Sequence, residues 1–299
     1  MKSRNPLNSL IVLFVLIIVV ACSCPNVRDE NVRSGDDTQS ENSERGADNA
    51  KDDSDKNTET AQSEKPDRGD FVVKHSSIGN SRYETIDRQI RDAKVLEKAA
   101  DKLNRTLSLP EDITLQTKDC GEPNAFYNPR DKSITFCYEL MERFYLDFKS
   151  VGNTDQQANE AMNKAVNYVF LHELGHALID NYDLTITANE EDAADRCSSY
   201  ICIEELGQDG VESILAAADA FRIQSQNRRP DQRHMADEHL LAEQRFFNSL
   251  CMVYGSDPDK YSNIVSQGYL PKARAARCPT EYNRIARSWE KLLEPWRKD

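Results

Sequence analysis

The sequence predicts an α+β fold: a small N-terminal sheet with a long helix, followed by a mainly helical part. Three observations predict it. Residues 25–70 hold no aromatic residue, so the folded part should begin only near Phe71. From there to Tyr138, short apolar runs alternate with turn residues around a single stretch of helical period. Beyond Glu139 every long segment repeats its apolar residues at helical spacing.

The elements follow in order. Lys2 and Arg4 precede an unbroken apolar run from Leu10 to Val20, the layout of a secretory signal peptide over residues 1–21. The run is shorter than the roughly 20 apolar residues a membrane span needs. Val19-Val20-Ala21-Cys22 resembles a bacterial lipobox, with valine where leucine is usual. That resemblance implies removal of the leader and lipidation of Cys22, hence attachment to a membrane surface at the bacterial cell envelope, in the periplasm or on the cell surface. Residues 22–70 are rich in Ser, Asn, Asp, Glu and Gln and cannot bury enough apolar surface to offset chain entropy, so they read as a disordered acidic tether. Residues 71–299 form the expected folded domain, and 38% hydrophobic residues in a chain of 299 suffice for its core.

Within the domain, Phe71 to His75 reads as a strand, and Tyr83 to Leu107 as a helix (Ile86, Ile90, Val95, Leu96, Ala99, Leu103) stopped by Pro110. Ile113 to Thr117, Ala125 to Tyr127 and Ser133 to Tyr138 read as strands, with a turn at Asn128-Pro129-Arg130-Asp131. Helices are expected at Glu139 to Phe148, Gln156 to Asn181, Glu190 to Glu205, Gly210 to Gln224, Glu238 to Tyr254 and Pro279 to Leu293. Tyr138 and Trp289 read as core.

Of eight cysteines, six lie in the folded part once Cys22 and Cys24 are set aside. An even number in an exported chain favours disulfides, and Cys120 with Cys137 and Cys251 with Cys278 are the expected pairs. Cys197 and Cys202 are five apart on one expected helix, about 7.5 Å along its axis and out of phase, so they are free unless the helix breaks.

The net charge of −13 without a basic cluster excludes nucleic acid as an expected partner. The chemistry concentrates in His172-Glu173-Leu174-Gly175-His176, an H-E-x-x-H motif. On a helix His172 and His176 share a face, so both imidazoles can hold one metal ion, and Glu173 beside them suits a general base acting on water. A third ligand is needed, and Glu191, four residues before Asp195 on the next helix, supplies it. Asp195 would then accept a hydrogen bond from a histidine ring and orient it. A metzincin site would need glycine at Ile179 and histidine at Tyr182, and neither is present.

H-E-L-G-H followed by E-x-x-x-D resembles the gluzincin group of zinc metallopeptidases, exemplified by thermolysin. The resemblance implies a zincin-type domain with one Zn2+ held by His172, His176 and Glu191, Glu173 as general base, Asp195 behind a histidine, and a peptide or protein as substrate. The stretches CGEPNAFYNP, ITFCYEL, EEDAADR and DEHLLAEQRFFN are similar to a bacterial family assigned as metallopeptidases on its motif, from about Phe71 to the C-terminus. By the same likeness His239, opening a helix downstream, would donate to the oxyanion, with His75 and His234 as weaker candidates. Ala125 to Tyr127 would be the edge strand that pairs with substrate, with Asn124 and Tyr127 offering polar groups. The alternative reading is a binding or assembly lipoprotein that keeps the metal and cleaves nothing.

Overall fold

The computed structural model describes residues 66–187, 189–227 and 232–298. The expected signal segment, Cys22, Cys24 and all but the last residues of the expected tether lie outside them. Among the described residues no helix is long and apolar enough to cross a membrane.

The fold is α+β. Strand β1 (Phe71–Val73) is followed by helices α1 (Glu84–Asp92) and α2 (Val95–Thr106), then by β2 (Ile113–Lys118), β3 (Ala125–Asn128) and β4 (Ser133–Cys137). The rest is helical: α3 (Tyr138–Ser150), α4 (Asp155–Asn181), α5 (Glu190–Glu204), α6 (Gly207–Asn227), the short α7 (Gln232–Met235), α8 (Ala242–Ser256), the short α9 (Asn263–Ser266) and α10 (Lys272–Ala275), and α11 (Cys278–Leu293). The sheet order is β1-β2-β4-β3; β1, β2 and β4 run parallel and β3 pairs antiparallel to β4 at one edge.

The helix expected from Tyr83 to Leu107 is two helices. Lys94 takes a left-handed conformation (φ 52°) that α-helix cannot continue through. The apolar period runs across the break, but the halves serve different cores. Tyr83 and Ile86 join Phe144, Tyr145 and Met162, whereas Ala99 and Ala100 join Leu115, Leu174 and Leu178. A straight helix could not turn its stripe toward both.

Helix α4 is the beam between those cores. Thr154 opens it with a reciprocal capping box to Gln157, and its buried residues run from Ala158 to Ile179. Helix α5 returns antiparallel beside it, and the two approach closely at Gly175. A Cβ there would lie 3.1 Å from Ala194 Cα and 3.2 Å from the Cys197 side chain. The glycine between the two histidines therefore lets α5 come near enough for its own side chains to meet them.

Both expected disulfides are present, Cys120–Cys137 between the ends of β2 and β4 and Cys251–Cys278 between α8 and α11. Cys197 and Cys202 are free and buried on an unbroken α5, and burial pushes both thiols up. Tyr138 and Trp289 are core, as expected.

Candidate metal centre

The motif histidines lie one turn apart on the face of α4 that meets α5. His172 Nε2 is 3.2 Å from His176 Nε2 and 3.1 Å from Glu191 Oε2, and His176 Nε2 is 3.4 Å from that oxygen. Ligands at the corners of a tetrahedron with bonds of about 2.0–2.1 Å stand about 3.3–3.4 Å apart. The three donor atoms therefore have the chemistry and spacing that one divalent ion requires, and these residues could hold a metal. Burial alone would raise the Glu191 carboxyl, but hydrogen bonds from the three histidines around it hold it below the usual carboxylate range.

Each motif ring is oriented from behind. His172 Nδ1 faces Asp195 Oδ1 at 2.9 Å, and His176 Nδ1 faces Glu190 Oε1 at 2.7 Å. With Nδ1–H donating to a carboxylate, Nε2 presents its lone pair to the centre. Asp195 is itself gripped by the part-buried Arg245 of α8, whose Nε and Nη2 donate to the two carboxylate oxygens at 2.8 and 2.6 Å. The guanidinium stacks over Phe221 of α6 at 4.3 Å. Burial works against the Asp195 charge, yet Arg245 and His172 outweigh it and hold the carboxyl well below its ordinary value.

Glu173 is buried beside the histidines. Its Oε2 accepts from the Tyr127 backbone N–H of β3 at 2.8 Å, and burial raises its carboxyl. The strand geometry explains the contact. The Cys137 N–H donates to the Asn124 carbonyl, so Asn124, Phe126 and Asn128 bond toward β4 while the backbone groups of Ala125 and Tyr127 point away from it. The Tyr127 hydroxyl donates to Asp180 Oδ2 at 2.6 Å, where Lys132 also bonds, pinning β3 against the end of α4. Asn124 Oδ1 accepts from its neighbour's N–H, so that side chain supports its own strand.

His239 reaches the centre, but not from a helix. Helix α8 begins at Ala242, and His239 lies in the bends before it, because Asp237 accepts from both its backbone N–H and its ring and turns the chain there. Its Nε2 lies 2.9 Å from Glu191 Oε2. His75 pairs with Glu97 on β1's side of the domain, and the side chain of His234 lies outside the described residues.

A family with the description "Putative metallopeptidase" matches residues 74–293. The chain belongs to that family. The match spans β2 to β4, the candidate metal centre and α11, so this metallopeptidase-family domain comprises nearly all described residues. No curated protein and no solved structure matches the chain.

Three residues of the family domain's centre escaped the sequence reading. Glu190 lies about 100° around the helix from Glu191, but at the first turn its long side chain swings back to His176. Asp237 stands two residues before His239, a spacing at which an Asx turn could have been expected. Arg245 had no local signal, since only the packing of α8 brings it to Asp195.

Proposed function

We propose that the chain is a zinc-dependent peptidase of the gluzincin type. The observation that carries this reading is the convergence of His172 Nε2, His176 Nε2 and Glu191 Oε2 within 3.1–3.4 Å of one another, with the buried Glu173 beside them. A structural zinc site more often uses four protein ligands and has no need of such a carboxylate.

His172, His176 and Glu191 would hold the ion, which supplies a Lewis acid that polarises a peptide carbonyl and makes water more acidic. Glu173, fixed by the Tyr127 N–H, takes a proton from the attacking water and delivers it to the leaving amine. Its raised carboxyl suits both halves of that transfer. His239, with Nδ1 on Asp237 and Nε2 beside Glu191, would donate to the developing oxyanion. An extended peptide donates its N–H groups to the outward carbonyls of Ala125 and Tyr127 on the edge strand, whose own N–H groups are held by Asn124 and Glu173.

The proposed setting is a lipid anchor at Cys22 on a bacterial envelope membrane, the acidic residues after it spacing the domain from the surface. Two disulfides suit an oxidising compartment. Mass spectrometry of the mature N-terminus from a membrane fraction tests this; an unmodified Cys22 refutes the anchor.

For activity, Glu173→Gln should lower peptide turnover by about 10²–10⁴-fold while zinc content stays near one per chain. A wild type that cleaves nothing in a broad peptide library, or a variant that cleaves equally well, overturns the peptidase reading. Glu191→Ala should lower zinc affinity in a chelator competition, and an unchanged affinity would show that the third ligand is another residue.

A further inference from the structure

We infer that Asn189 is a positioning residue whose single side-chain amide sets both Glu191 and His239, so that the third ligand and the oxyanion donor are placed by one group. The inference rests on the peptidase reading of the centre and deepens it.

Asn189 is the N-cap of α5. Its Oδ1 accepts from the Glu191 backbone N–H at 2.8 Å, which fixes the first turn of the helix and with it the direction of the Glu191 side chain. Its Nδ2 donates to the Glu238 carbonyl at 2.8 Å, 49 residues further along the chain. The amide's orientation follows from these partners. An N–H requires the oxygen and a carbonyl requires the NH₂, so turning the amide over would lose both bonds.

The second bond matters because of what it holds. Glu238 immediately precedes His239, whose side chain is 48% exposed, with its ring stacked at 6.1 Å from that of His172. The bonds from His239 to Asp237 are made within the same bend and can travel with it. Among the described residues, the hydrogen bonds that fasten this bend to α5 are Asn189 to Glu238 and His239 Nε2 to Glu191 Oε2. Once Glu191 turns its carboxylate to a metal, the amide bond is the fastening that does not compete with ligation.

The two jobs can be separated chemically. Serine and aspartate cap a helix about as well as asparagine. Aspartate has no N–H to give Glu238, and serine is too short to reach it. Asn189→Asp and Asn189→Ser thus keep the cap and remove the fastening.

In the full chain, both variants should bind zinc within about threefold of wild type in a chelator competition, since the cap survives. Modification of His239 by diethyl pyrocarbonate, followed by peptide mass spectrometry with His75 as internal reference, should quicken several-fold in both. Peptide turnover should lose about 10–100-fold in kcat with KM little changed. Adding His239→Ala to either variant should then cost nothing further. A wild-type rate of His239 modification in both variants overturns the inference. So does a zinc affinity that falls as far as in Glu191→Ala, which would make Asn189 a cap alone. If the wild type cleaves no peptide, the peptidase reading fails by itself, and the modification rates still decide the role of Asn189.

Discussion

His172 and His176 make the same bond, an imidazole nitrogen against a carboxylate of α5, at two depths of one site. At the inner depth His172 has a side chain 3% exposed, and its partner Asp195 is clamped by a guanidinium that itself lies on an aromatic ring. At the outer depth His176 leans on Glu190, whose side chain is 51% exposed. A carboxylate open to water needs no counter-charge, whereas a buried one must be paired or it destabilises the fold. The inner support therefore recruits three helices, α5, α6 and α8, and the outer one uses a single turn of α5. One orienting function thus carries very different structural weight at two depths.

The largest test of this contrast is Arg245→Met. It strands the largely buried Asp195 charge, whose side chain is 14% exposed, and should lower stability by about 3 kcal/mol in denaturant unfolding. The double variant Arg245→Met/Asp195→Asn should recover part of that loss, and no recovery would mean that Arg245 acts by packing alone. An intermediate effect is expected from Gly175→Ala, which leaves every polar partner in place and only forces α5 away from α4. Overpacking of this kind costs about 1–3 kcal/mol and should weaken zinc binding at the same time. A variant that binds zinc as the wild type does would show that helix spacing does not set the ligand geometry. The smallest effect belongs to Glu190→Gln, which keeps an acceptor at the surface. It should shift zinc binding by less than about 1 kcal/mol in isothermal titration. A loss equal to that of Asp195→Asn would erase the distinction between the two depths.

Much of this arrangement is legible in the residues. The four strands, the long helices and both disulfides follow from periodicity, turn residues and cysteine parity. The inward trio His172, His176 and Glu191 follows from helical phase, because each pairing lies on one element or on two consecutive ones. What escapes is what depends on packing between distant segments. Periodicity shows that residues 83–107 are helical, but it does not show that two cores pull the stripe apart at Lys94. It places Glu191 and leaves Arg245 unnoticed, since 50 residues separate Arg245 from Asp195. For the same reason His239 was assigned to the head of a helix. The apolar period of α8 can be extended backward through it, and only the Asp237 turn ends the helix sooner.

The strand order has a consequence for access. Residues 68 and 69 bond to the Leu109 carbonyl and lead directly into β1, at one edge of the sheet. Strand β3, whose backbone meets Glu173, is the opposite edge, three inter-strand spacings or about 14 Å away. An anchor of the kind proposed above would hold the domain by the side of the sheet remote from the candidate metal centre. A bulky substrate of the proposed reaction would then meet β3 without first passing the mooring.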